Sequence, residues 1–208
     1  MSTITPSGRS SGWTGTALIL IVLVIALWFI ATNAVRYLGF DPEAYGRFWE
    51  FKVWLFGHVA GGMLALIIGP FQFIPAIRNR NFKRHRLLGK IYLISIVIGA
   101  TCSIYLSFNS AMRIHWTWSI ALLSLGLPWL VSAGMAYRAI RLRRIGQHRD
   151  WMIRSYVITF GFVMFRILND ELFSHVGNFV ERGPTLGWLA WAIPLFFAEV
   201  CIQWNKKD

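Results

Sequence analysis

The sequence is poor in charge. Asp, Glu, Lys and Arg together make up 14% of its 208 residues, where a water-soluble domain carries roughly 25%, and the shortage excludes an ordinary soluble globule. Carboxylates are scarcer still, with 9 Asp and Glu against 21 Lys and Arg. The two cysteines, Cys102 and Cys201, both fall inside apolar runs. They supply neither a disulfide framework nor a Cys-x-x-Cys pair, and read as small apolar packing residues. No Gly-rich phosphate loop and no serine-hydrolase elbow occurs, so nucleotide-binding and hydrolase readings have no residues to stand on.

What the chain has instead is apolar surface: 56% of its residues are hydrophobic and 16% aromatic. Six long apolar runs predict an all-α, polytopic membrane protein, with transmembrane helices at about 17–36, 54–77, 87–108, 116–139, 151–168 and 186–204. These form a single six-helix domain over 17–204, flanked by tails at 1–16 and 205–208. Each span has to be a helix, because lipid offers no partner to a bare backbone amide. The first run ends in Thr32-Asn33-Ala34, which resembles the cleavage site of a signal peptide. It is longer than a signal core, however, and is read as a retained span.

The net charge of +12 acquires meaning from its location. Fifteen of the 21 basic residues lie in the N-terminal tail, around the loops after spans 2 and 4, or in the C-terminal tail. The other six share the opposite side with six acids: Asp41, Glu43, Glu50, Asp170, Glu171 and Glu181. Lys and Arg are retained on the cytoplasmic face. Both termini and loops 2–3 and 4–5 are therefore expected in the cytoplasm, with the protein in the inner membrane of a bacterium and the lipid bilayer as its partner. Because the basic residues follow the topology, they imply no nucleic-acid partner.

Polar residues inside the spans carry the functional signal, since burying them in lipid is costly. His58 in span 2 shares a helical face with Gly61, Gly62, Ala65, Gly69 and Gln72. That small, polar stripe has room for a flat cofactor. It equally suits a neighbouring helix, as Gly57-x-x-x-Gly61 is a packing pattern of membrane helices. His85 opens span 3, with Gly89, Tyr92, Gly99 and Ser103 on its face, and His148 precedes span 5, with Met152, Ser155, Thr159 and Arg166 on its face. These two spans run in the same direction, so imidazoles at equal depth can meet across a shared gap. His115, at the start of span 4, stands in the same relation to His58. The four histidines thus form an expected inner pair, His85 with His148, and an outer pair, His58 with His115, and imidazole is a common axial ligand of haem iron. Taken singly, each boundary histidine also suits a role as an interfacial anchor. His175 lies in an outer loop and reads as solvated. Glu199 in span 6 is expected to face the bundle, pairing with an Arg or His or staying protonated. Arg166 is expected to form local ion pairs with Asp170 and Glu171.

Four motifs carry a resemblance. His58-x-x-x-Gly62, Gly69-Pro70-Phe71-Gln72-Phe73, His85-Arg86-x-x-Gly89-Lys90-x-Tyr92 and His148-Arg149-x-Trp151-Met152-x-Arg154-Ser155-Tyr156 together resemble the bacterial integral membrane family catalogued as domain of unknown function 2306. The resemblance covers about 54–204, and that family implies no assigned activity. In architecture alone the chain is also similar to the dihaem b cytochromes of the b-561 group. There, histidines of helices 2 and 4 hold one haem and those of helices 3 and 5 another, and a basic loop receives an anionic donor. The group's other sequence signatures are missing here.

The reading implied is a b-type haem protein that carries electrons within or across the membrane. An anionic reductant or quinol would dock near Lys83, Arg84, Arg86 and Arg144, with His85 and His148 at an inner haem b and His58 and His115 at an outer one. Quinone is a further candidate cofactor. The alternative is a cofactor-free bundle acting as a small transporter, a lipid-interacting protein or an assembly partner. In that case Gln72 and Glu199, the other intramembrane polar groups, line a polar path or tie helices together with His58.

Overall fold

The computed structural model describes residues 11–204 and Lys206, whereas residues 1–10, 205, 207 and 208 of the two expected tails lie outside the described residues. Among the described residues the secondary structure is helical, with no strand. The long helices are α1 (Ser11–Phe29), α3 (Lys52–Phe73), α4 (Phe82–Leu106), α5 (Trp116–Arg141), α6 (Ile145–Arg166) and α7 (Phe179–Trp204), and α2 (Pro42–Tyr45) is a single turn between α1 and α3. Six segments built on the long helices are long and apolar enough to cross a membrane.

α4 and α7 begin earlier than the apolar runs suggest, and capping chemistry explains why. α4 starts at Phe82, where the Asn81 side chain accepts a hydrogen bond from the Arg84 amide at 3.1 Å. α7 starts at Phe179 with a reciprocal cap: the Asn178 side chain accepts from the Glu181 amide and the Glu181 carboxylate from the Asn178 amide, both at 3.1 Å. Hydropathy reports which turns suit hydrocarbon, but helix starts are set by polar caps outside it. α1 is helical from Ser11, within the segment expected as a tail.

Helices α3, α4, α5 and α6 pack in sequence, and α6 also meets α3, which closes an antiparallel four-helix bundle. α7 lies against α5 and α6. α1 lies over the edge between α3 and α6, where Ala26, Phe29 and Ile30 meet Leu66 and Val163. Leu18, Leu20, Ile21, Val24 and Leu27 of the same helix point outward. The bundle interior is built from small and large residues in alternation: Ala65, Ala100, Ala133 and Ala136 are buried beside Tyr92, Ile96 and Trp129. Small residues let helices approach closely where no hydrophobic effect drives them together.

The closest approach joins α3 to α4. A Cβ on Gly61 would lie 2.6 Å from the Ser95 carbonyl oxygen and 2.8 Å from the Gly99 amide nitrogen, so only glycine fits. A Cβ on Gly69 would lie 2.2 Å from the Tyr156 ring of α6. The glycine stripe of α3 is therefore largely a packing surface. Gly62 is the exception, since nothing lies within 4 Å of a Cβ built there.

The two ends of the bundle differ. The basic end holds the links 74–81, with a π-helical turn of its own at Ala76–Arg80, and 142–144. At the opposite end α1, α4 and α6 each pass into a π-helical turn, Ile30–Ala34, Ser107–Ala111 and Ile167–Leu172 respectively. Such turns widen a helix and recur at functional sites.

Gly61→Ala should force α3 and α4 apart against two backbone atoms and destabilise the protein by about 1–3 kcal/mol. Gly62→Ala should leave stability unchanged, and thermal unfolding in detergent compares the two.

Candidate functional site

The opposite half of the four-helix bundle is hollow. A cavity of about 240 Å³ lies among α3, α4, α5 and α6, with α1 along one side. Its walls are mostly apolar and aromatic, including Leu55, Met63, Leu122, Trp118, Trp129 and Phe162. On α6 it extends from Ile158 to Asn169, about 16 Å at the helical rise of 1.5 Å per residue. Polar groups are few, and Ser103 and Ser110 are the ones that α4 and the turn after it contribute. Arg47, Arg166, Asn33 and Asn169 stand at the mouth, while His58 and Thr159 stand at the floor. No Asp or Glu lines it.

His58 is fixed through its far nitrogen. Its Nδ1–H donates to the Gly99 carbonyl oxygen of α4 at 3.0 Å, while Trp129 and Phe162 meet the imidazole edge-on with ring centroids 6.5 and 5.5 Å away. With Nδ1 protonated, Nε2 keeps its lone pair. The same Gly99 receives the Trp129 ring, whose nearest atom lies 3.1 Å from where a Cβ would be.

Trp129 is held by a buried polar knot. Its Nε1–H donates to Thr159 Oγ1 at 2.8 Å, Thr159 Oγ1 donates to the Ser155 carbonyl at 2.7 Å, and the Tyr92 hydroxyl lies 3.0 Å from Ser155 Oγ. Tyr92 and Ser155 are fully buried. The knot joins α4, α5 and α6 at the level of the cavity floor, and it satisfies groups that would be costly to leave unpaired in a low-dielectric interior.

At the mouth, Arg166 pairs through Nη1 with Asp170 Oδ2 at 3.2 Å, as the spacing of four residues predicts. Asn169 is held between Asp170, to which its amide donates at 2.7 Å, and Arg182, whose Nε donates to its side-chain oxygen at 3.1 Å. Arg47 lies over the Phe48 ring, 4.7 Å from its centroid, and makes no ion pair among the described residues.

The other histidines have different placements. His115 is the N-cap of α5, its Nδ1 lying 2.7 Å from Thr117 Oγ1, and it is not among the residues that line the cavity. The structure thus does not gather His58 and His115 around that space. At the basic end His148 is anchored like His58, with Nδ1 donating to the Ala136 carbonyl at 2.9 Å. His85 stands in the first turn of α4 at the same end. The His85 Nδ1 is buried without a hydrogen-bond partner. One turn further in, Gln72 is 5% exposed, its Oε1 fills the space left by Gly89, and its Nε2 is also unpartnered. Neither His85 nor His148 lines the cavity. Lys83, Arg84, Arg86 and Arg144 are exposed at the basic end, and His175 is exposed at the opposite one.

Glu199 is paired, as its position in a span requires. Both Nε and Nη2 of Arg154 donate to its Oε2, at 2.8 and 2.6 Å, and Gln203 donates to Oε1. The pair ties α6 to α7 on the flank of the bundle, with the Glu199 side chain 38% exposed. Sequence reasoning placed Ser155, Thr159 and Arg166 on one face and Tyr92 on another, but it did not show that the faces meet. Arg47 was missed altogether, because nothing in the sequence distinguishes it from other loop arginines.

Thr159→Val should leave the buried Trp129 donor without an acceptor and cost about 1–3 kcal/mol. Thr159→Ser should recover most of that loss, as read from melting temperatures.

A sequence model of the family described as "Predicted membrane protein (DUF2306)" matches residues 55–202, a stretch that includes α4, α5 and α6 entire and carries His58, His85, His115 and His148. No curated protein sequence and no solved structure matches the chain significantly. The match takes in well over half of the chain, and the protein therefore belongs to the DUF2306 family of membrane proteins.

Proposed function

We propose that this chain sits in a bacterial inner membrane with its basic end in the cytoplasm and binds an elongated, largely apolar guest in the outward-opening cavity. It is, in class, a lipid-interacting protein or small transporter. One observation carries the reading: helices that elsewhere approach to backbone contact keep about 240 Å³ of space between largely apolar and aromatic walls, with its two charged residues, Arg47 and Arg166, both at the mouth. Protein interiors normally pack without voids of this size. Apolar sides with a few placed polar groups are the composition of a ligand site.

Solvent extraction of protein purified in mild detergent, followed by mass spectrometry, should return one class of amphiphile in near-stoichiometric amount. Gly62→Leu, entering space where nothing lies within 4 Å of the Cβ, should abolish that recovery without lowering the melting temperature. Equal recovery from the variant would sink the reading.

His58 favours a second reading, a b-type haem protein that transfers electrons. An imidazole whose Nδ1–H is engaged by a carbonyl presents Nε2 as a metal ligand, and His58 and His148 are both held in this way. A quinol or anionic reductant would then dock at Lys83, Arg84, Arg86 and Arg144. The fit is partial. His115 is bound in its cap, and the cavity is smaller than the roughly 300–1,000 Å³ of pockets for drug-sized ligands, so the helices would have to separate around a macrocycle. An absorption spectrum decides the matter. A Soret band and sharp reduced-state bands, lost in His85→Ala or His148→Ala and retained in His175→Ala, are the haem outcome. A colourless preparation from haem-replete cells overturns it.

A further inference from the structure

We infer that the guest of the cavity is a single-chain amphiphile with a carboxylate head, held at the mouth by Arg166 and Arg47. The inference rests on the cavity-binding reading above and adds the chemistry of the head and the residues that recognise it.

The first support is the unused edge of Arg166. A guanidinium offers a carboxylate two parallel donors from one side. In this protein Arg154 shows the arrangement, giving Nε and Nη2 to Glu199 at 2.8 and 2.6 Å. Arg166 commits only Nη1, to Asp170 at 3.2 Å. Its Nε is buried without a partner, and its Nη2 makes no hydrogen bond among the described residues. Arg166 lines the cavity, and its Nε–Nη2 edge has no acceptor among the described residues; since Nε is covered as the side chain stands, a guest's carboxylate is met by Nη2 first and by Nε after a turn of the guanidinium.

The second support is charge. Arg47 and Arg166 are the charged residues that line the cavity, and the adjoining Arg182 spends its donors on Asn169 and on the carbonyls of Val176 and Gly177. Asp170 neutralises one of these three arginines, which leaves the mouth positive. The face as a whole balances six basic residues against six acids, and it is at the cavity lining, where Arg47 and Arg166 stand without a lining acid, that an anion is favoured.

Dimensions settle the tail. The depth of about 16 Å, from the helical rise, is close to half of the roughly 30 Å hydrocarbon core. A chain whose head sits at the interface would reach the floor at about the depth of its own leaflet. A narrow space of about 240 Å³ suits a single chain.

The test uses the full chain in a neutral detergent with radiolabelled dodecanoate, competed by unlabelled dodecanoic acid, dodecanol and dodecyl phosphate above pH 7. The acid should compete about tenfold better than the alcohol, the worth of one added charge-assisted pair. Arg166→Gln should bring the two to near parity, and Arg166→Lys should keep part of the preference, with melting temperatures showing that both variants fold. Equal competition by acid and alcohol in the unaltered protein, or an undiminished preference in folded Arg166→Gln, overturns the inference. Stronger competition by dodecyl phosphate than by the acid overturns the carboxylate assignment. If acid and alcohol bind equally and Gly62→Leu abolishes both, the acid head fails while the cavity reading stands. Binding that survives Gly62→Leu removes the cavity reading as well.

Discussion

The organisation of the bundle turns on Gly99. Its backbone receives α3 at Gly61, where no side chain fits; its carbonyl receives the His58 Nδ1–H at 3.0 Å; and its missing side chain receives the Trp129 ring. Three helices are thus brought to one residue that contributes no side-chain atoms of its own. In water such a junction would draw on the hydrophobic effect. In lipid it depends on close van der Waals packing and on hydrogen bonds that have no competing solvent. The cavity floor inherits its rigidity from this point, because His58 and Trp129 are both oriented by it.

Above that junction the helices need not pack as tightly, and the structure provides a reason. α1, α4 and α6, the three helices that run toward the opposite end, each pass into a π-helical turn there. A π turn frees backbone groups that must be satisfied locally. At Ser107 the carbonyl accepts from the Ser119 hydroxyl of α5 at 2.7 Å, so the loosened turn stays joined to its neighbour. The result is a bundle closely packed at its basic half and hollow at the other.

The architecture was legible in the sequence because the bilayer imposes it: apolar runs of sufficient length have one secondary structure open to them, and the basic loops group on one side. Helix starts were less legible, since Asn81 and Asn178 lie outside the apolar runs that reveal a span. The stripe from Gly57 to Gln72 left two readings open, and both are represented. Gly57, Gly61 and Gly69 pack against Cys102, the α4 backbone and Tyr156, while Gly62 borders the cavity. Helical spacing alone does not separate them, because adjacent positions such as 61 and 62 differ by only a fraction of a turn. The histidines had the opposite problem. His85 and His148 stand in the first turns of α4 and α6, but whether an imidazole faces a partner or caps a helix depends on one rotamer. His115 is drawn to Thr117.

α1 has a consequence of its own. The family match begins at residue 55, inside α3, and so does not include α1. Yet Phe29, Asn33, Ala34 and Tyr37, from the end of that helix and the turns after it, form one side of the cavity. The remaining five helices would describe a trough cut into the flank of the bundle and open to the surrounding lipid. With α1 laid across the seam of α3 and α6, the trough becomes a well, entered from its end. The first helix therefore governs the direction of access: whether a molecule slides in sideways from the bilayer or descends from the aqueous face.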